Sequence, residues 1–156
     1  MSIIDSKFKE ELKIEHSLKP NINDIEFLTK KLNDETAELG STHPFAFFLR
    51  NNANEIIAGC NGFVVFGAIY TDQLWVHPEW RKQNLGRELM ENVHDYGRKV
   101  GCRMATVATM SFQSQGFYEK LGYKIDFERG GYVNGSSCLF LQLALSEDRT
   151  KAIKLV

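Results

Sequence analysis

Apolar and polar residues alternate through Glu11–Leu18, with Leu12, Ile14, His16 and Leu18 on one face and Lys13, Glu15 and Ser17 on the other. A period of two predicts a first strand, ended by Pro20. Ile25, Leu28, Leu32 and Leu39 then recur at near-helical spacing. They predict a helix from about Asp24 to Leu39, opened by a capping box of Asn23 and Glu26 and stopped at Gly40. Phe45–Arg50 reads as a short aromatic strand, followed by the turn cluster Asn51–Asn54. Glu55–Tyr70 reads as a strand pair turning near Gly67, and Asp72–Val76 as a strand stopped by Pro78.

From Leu85 the period changes. Leu85, Leu89, Val93, Tyr96 and Val100 share one helical face, and Gly101 caps its end. Met104–Thr109 reads as a buried strand. Ser111 can cap a short helix carrying Phe117 and Leu121, which Gly122 terminates. Tyr123–Phe127 and Leu139–Leu145 are the last strands, joined by the glycine-rich loop Arg129–Ser137. The expected order is β-α-β-β-β-α-β-α-β-β, without repeats or a linker. That is one α/β (α+β) domain over residues 1–156, with a charged, loose tail at 146–156.

Composition narrows the functional classes. Lys and Arg number 19 and Asp and Glu 20, a net charge of −1. Near-neutrality argues against nucleic acid or an anionic membrane surface as partner. No apolar run is long enough to span a bilayer, and the charged N-terminus has no secretory core, so a cytoplasmic protein is expected. Cys60, Cys102 and Cys138 are odd in number and widely spaced. They predict small buried hydrophobes in a reducing compartment rather than disulfides or a metal knuckle. No metal site is expected.

The chemistry concentrates between Val76 and Met90. A strand ends there, a basic loop follows, and a long amphipathic helix begins inside it. The first N–H groups of a helix lack intrahelical partners and carry partial positive charge. With Arg81, Lys82 and Arg87 beside them they form an anion site, or else solvated charges ahead of an ordinary helix. Gly86 permits close backbone approach. No Lys-Ser or Lys-Thr pair follows it, and no Gly-x-Gly-x-x-Gly is present, which disfavours a triphosphate loop and a dinucleotide fold.

Arg81-Lys82-Gln83-Asn84-Leu85-Gly86 resembles the acyl-CoA signature Gln/Arg-x-x-Gly-x-Gly/Ala of the GNAT N-acetyltransferase family. Gly116-Phe117-Tyr118-Glu119-Lys120-Leu121-Gly122-Tyr123 resembles the family's downstream tyrosine-bearing helix. Order, separation and element sequence agree over about residues 10–145. Asn84 stands where the family has its first glycine. If φ must be positive there, Asn is among the least penalised substitutes.

The resemblance implies a mixed, mostly antiparallel sheet with two splayed parallel strands, flanked by helices. It implies an acetyl-CoA-dependent N-acetyltransferase acting by direct attack of a primary amine, of a small molecule or a peptide. Acetyl-CoA would be the co-substrate, with its pantetheine arm along Leu74, Trp75 and Val76. The pyrophosphate would sit on Arg81, Lys82, Gln83, Asn84, Leu85, Gly86 and Arg87, with Ser111 and Phe117 also at the cofactor. Tyr118 would supply a proton to the leaving thiolate. Asp72 is the acidic candidate for the base, beside His43, His77 or a water chain, because Ala105–Thr109 holds no carboxylate. The acceptor site would draw on Thr36–Phe48 and Arg129–Ser137, with Phe45, Phe47, Phe48 and Tyr132 lining a slot or filling core. A homodimer is compatible with the family. The alternative is a non-catalytic acyl-CoA-binding or sensing module on the same fold.

Overall fold

The computed structural model describes residues 12–145. In chain order the elements are α1 (Ile22–Glu35), β1 (Thr42–Arg50), β2 (Ile56–Val65), β3 (Ala68–Val76), α2 (Leu85–Lys99), β4 (Met104–Met110), α3 (Gln115–Lys120), β5 (Lys124–Arg129) and β6 (Cys138–Ala144). The six strands form one sheet in the order β1-β2-β3-β4-β6-β5. Every neighbouring pair is antiparallel except β3 and β4, which run parallel. This is the mixed sheet with one parallel pair that the resemblance implies.

The expected first strand does not form within residues 12–18. Leu12, Ile14 and Leu18 are exposed. Alternation prepares a face, but a strand also needs a hydrogen-bonding neighbour, and β1 pairs with β2 alone. Glu11 and the expected tail at 146–156 lie outside the described residues.

The first helix begins earlier than its pattern indicates. Asn21, not Asn23, is its cap, with its side-chain oxygen accepting from the Asn23 N–H at 2.9 Å. It ends at Glu35, short of Leu39. Thr36 closes it, its N–H donating to the Leu32 carbonyl. No residue of α1 is buried. A polar clip ties it to the sheet: Asn33 Nδ2 donates to the Thr42 carbonyl at 2.9 Å, and Thr42 N–H donates to Asn33 Oδ1 at 2.8 Å.

The strand pair expected over Glu55–Tyr70 and the separate strand Asp72–Val76 resolve into one hairpin. It turns at Phe66 and Gly67, both with positive φ (43° and 87°). β3 then continues from Ala68 to Val76 without interruption. Its register slips once: Asn61 faces Gln73, but Gly62 faces Thr71, leaving Asp72 as the extra residue of a bulge.

α2 covers one face of the sheet and buries Leu89, Met90, Val93, His94 and Gly97. Ile69, Ala105, Val107 and Leu141 meet it from the strands. Gly97 makes the close approach possible, because a Cβ there would fall 2.8 Å from Ile69 Cγ2. Cys60, Cys102 and Cys138 are free and buried, and burial pushes the Cys60 thiol up to about 11. That behaviour is of core residues rather than nucleophiles.

A polar pair is sealed within this core. His94 and Tyr123 are 5% and 2% exposed, with His94 Nε2 2.8 Å from the Tyr123 hydroxyl. Burial, then nearby Arg98, outweighs Asp95 and lowers the His94 pKa from 6.5 to about 4. A depressed folded-state pKa contributes stability that is present above about pH 6.5 and is lost as pH falls through about 4. Stability should therefore decline between those values by up to about 3 kcal/mol. Thermal melts at pH 7, 5.5 and 4 check this: His94→Gln should flatten the decline, and an unchanged slope would remove His94 as its source.

Candidate active site

β3 and β4 pair only from Ala68↔Met104 to Thr71↔Val107. Beyond the Asp72 bulge, Gln73–Val76 still pair with β2 but have no partner on the β4 side. The backbone of Leu74, Trp75 and Val76 therefore presents an open edge inside the sheet, able to receive an extended chain as a further strand would.

The bulge is built on Gly62. A Cβ there would lie 1.8 Å from the Tyr70 carbonyl oxygen. Only glycine lets the two backbones approach this closely at the point where the parallel strands part.

At the end of β3, Pro78–Trp80 forms a single 3-10 turn, capped by His77 Nδ1 accepting from the Glu79 N–H at 3.2 Å. Arg81 Nε donates to the Val76 carbonyl at 3.0 Å and holds the loop against the strand. Lys82 and Asn84 both take φ 62°. Asn84 thus adopts the left-handed conformation that its place in the motif anticipates, and caps α2 by backbone alone. The first i to i−4 bond of α2 runs from Glu88 N–H to the Asn84 carbonyl. The N–H groups of Leu85, Gly86 and Arg87 precede it and point from a helix end that favours anions.

These features enclose a cleft of about 550 Å³. Of the residues expected at a cofactor, Leu74, Trp75, Val76, Arg81, Lys82, Asn84, Leu85, Gly86, Arg87 and Phe117 all line it, joined by Trp80, Ser114 and Lys120. Gln83 belongs to the same loop but not to the cleft wall. Gly86 meets Phe117, whose ring would lie 3.3 Å from a Cβ at that position.

Ser111 lies elsewhere. It lines a separate hollow with Phe112 and Val133–Ser136, and its Oγ accepts from the Ser137 N–H at 3.2 Å. It does not cap the short helix. That helix starts three residues later, with Ser114 at the cap position, because Ser111 is committed to the loop before β6. Ser114 and Lys120 were not among the residues expected at the cleft; their place on its wall depends on how α3 docks.

Tyr118 is buried and lines neither cleft, its ring 5.1 Å from Phe117, which does line the smaller one, and 5.6 Å from Tyr123. Burial, followed by the nearby Cys60 and Tyr70, pushes its phenol up to about 12. The hydroxyl therefore keeps its proton throughout the physiological range. Asp72 is exposed on the bulge and accepts a hydrogen bond from the Tyr70 hydroxyl at 3.2 Å, though it lines neither large cleft. Burial and Asp72 both raise the Tyr70 pKa. Tyr70 carries no helical or motif signal; it meets Asp72 as a neighbour two residues along the same strand. His77 caps a turn, and His43 Nε2 lies 2.6 Å from Ser41 Oγ.

A second cleft of about 1040 Å³ opens between α1 and β1–β3. Phe45 and Phe48 line it, Phe47 packs instead against Tyr96 of α2, and Tyr132 is outside it. Trp75 lines both clefts. Among the described residues no group of three or more His, Cys, Asp or Glu side chains could hold a metal, and no helix is long and apolar enough to cross a membrane.

The profile described as the acetyltransferase (GNAT) family matches residues 9–123. The chain belongs to the GNAT acetyltransferase family. Among curated relatives of this GNAT protein, the blasticidin-S acetyltransferase of Streptomyces morookaense is 30% identical over 82 residues. That match covers 52% of this chain and spans 60% of the relative's length. An acetyltransferase from Bacillus cereus has the same fold, with a TM-score of 0.66 at 22% identity over 84% of this chain and 98% of that one. A Bacillus anthracis protein described as a streptothricin acetyltransferase, solved with acetyl coenzyme A, gives a TM-score of 0.58 at 14% identity over 65% and 62% of the two chains.

The site depends on the bulge, so Gly62→Ala should cost at least about 3 kcal/mol, because a carbonyl oxygen must move to admit a methyl group. Urea denaturation reads this directly. A loss below about 1 kcal/mol would mean that the Gly62 contact does not shape the parting of the strands.

Proposed function

We propose that this GNAT protein transfers an acetyl group from acetyl-CoA to a primary amine of a small molecule or peptide by direct attack. The observation that carries this reading is the sharing of Trp75 between two clefts along the unpaired stretch of β3. One cleft is basic and bordered by free helix N–H groups, as a pyrophosphate requires. The other is largely apolar and large enough for a small-molecule acceptor.

The residues present fit acetyl-CoA. Leu74–Val76 offer unpaired backbone to the pantetheine amides. Leu85, Gly86 and Arg87 N–H groups, with Arg81 and Lys82, receive the phosphates. Bound there, acetyl-CoA would supply an activated thioester for the amine to attack. The amine must be neutral to attack. Asp72, fixed by the Tyr70 hydroxyl and outside the wall of both clefts, takes the amine proton through water. Tyr118, its phenol held protonated by burial, donates to the departing sulfur, help worth typically about 10²- to 10⁴-fold. Gln83 shapes the phosphate loop, and Ser111 serves the β6 loop rather than the cofactor.

Gly86→Val should weaken acetyl-CoA binding at least about tenfold, or about 1.4 kcal/mol. The added side chain displaces Phe117 and crowds the helix end. Calorimetric titration with acetyl-CoA, on protein whose melting temperature confirms folding, measures it; parental affinity would move the phosphates away from this loop.

Tyr118→Phe keeps the ring packing and deletes the hydroxyl. It should lower kcat and kcat/KM together by about 10- to 1000-fold, about 1.4 to 4 kcal/mol, with little change in the KM for acetyl-CoA. With the phenol near 12, no loss of rate from Tyr118 ionisation should appear below about pH 10. Steady-state kinetics on an accepted amine, with chemistry limiting, tests both, and an unchanged kcat excludes Tyr118 as the proton donor.

A further inference from the structure

The cleft between α1 and the sheet has an uneven distribution of charge. Its charged side chains, Glu26, Lys30 and Asp34, all stand on α1, and Lys30 and Asp34 neutralise each other at 2.8 Å. The sheet side contributes no Asp, Glu, Lys or Arg. Its surface is apolar and aromatic at Phe48, Phe63 and Trp75 and polar at Thr42 and His43 of β1 and at one pair in its floor. There Asn61 of β2 and Gln73 of β3 are register partners.

Neither carboxamide makes a side-chain hydrogen bond among the described residues. Asn61 Oδ1 is buried without a partner. A buried, unpaired polar atom costs roughly 1–3 kcal/mol, so an apolar residue would serve a purely structural role better. No group among the described residues fixes the Asn61 amide, and a terminal amide torsion has a broad, two-fold preference. It can therefore turn either its oxygen or its NH₂ to the cleft. The pair lies immediately beside the Asp72 bulge, and Gln73 begins the stretch of β3 unpaired on the β4 side.

We propose that Asn61 and Gln73 form a specificity pair that reads a neutral hydrogen-bonding group, such as an amide, placed next to the acceptor's amine. The acceptor's apolar body lies against Phe48, Phe63 and Trp75. This rests on the acetyl-transfer reading and narrows its substrate class. Two carboxamides offer donors and acceptors together, which matches an amide and gives no ionic advantage to a carboxylate or a polyamine. A site built to pair a polar group discriminates strongly against an analogue that lacks it.

The test compares phenylalaninamide with phenethylamine, which lacks only the carboxamide, as acceptors for the parent, Asn61→Leu and Gln73→Leu, with kcat/KM expressed per neutral amine because the carboxamide acidifies the neighbouring ammonium. The parent should favour phenylalaninamide in kcat/KM by about tenfold or more. Asn61→Leu should erase most of that preference and Gln73→Leu part of it, through the KM for the amide. The affinity for acetyl-CoA should be unchanged in both variants, and the Asn61→Leu melting temperature equal or higher. Equal use of both amines by the parent, no transfer to either, or a preference that survives in Asn61→Leu would overturn the pair's role. Failure of the acetyl-transfer reading is separately visible, as loss of acetyl-CoA binding by the parent itself. If Asn61→Leu fails to fold, Asn61→Ala and Gln73→Leu carry the same comparison.

Discussion

Two parallel strands that pair as far as Thr71 and Val107 and then part set the terms for everything else in this molecule. A parallel ladder, once begun, is favourable at each added residue, so something must stop it. The extra residue Asp72 turns β3 away, and Gly62 allows β2 to follow at a separation no side chain could accommodate. The result is a strand edge within the sheet, where backbone groups remain free for a ligand.

Each neighbouring element is arranged around that opening. α2 starts where β3 ends, so its unpaired N–H groups face the same gap. Arg81 ties the intervening loop to Val76, and the left-handed conformations of Lys82 and Asn84 turn the chain tightly enough to begin the helix there. α3 brings Phe117 against Gly86 and buries Tyr118 beside Phe117. The Tyr118–Tyr123 contact and the Tyr123–His94 hydrogen bond link this short helix to the core under α2. A six-residue helix has little stability of its own, so this aromatic packing is what fixes the Tyr118 position.

The other cleft is held more lightly. α1 buries no residue and is clipped to β1 by the reciprocal Asn33–Thr42 bonds. Elements with few buried contacts open at low free energy. The cleft at the start of α2 is thus supported by the core, whereas the wall of the larger cleft contributed by α1 is not.

Sequence pattern determined the elements that carry their own signal. The spacing from Leu85 to Val100 predicts α2 almost to the residue, because a buried stripe must repeat every helical turn. Arg81, Gly86, Phe117 and Tyr118 were legible as a set through their motifs, as was the positive φ of Asn84. Tertiary structure decided what depends on partners distant along the chain. Residues 12–18 alternate like a strand but find no neighbour to pair with. Ser111 has the chemistry of a helix cap but bonds to Ser137, twenty-six residues on. The Asp72 bulge and the Asn61–Gln73 pair arise from cross-strand register. A one-residue slip in register moves every later side chain to the other face, and no local periodicity records where that slip falls.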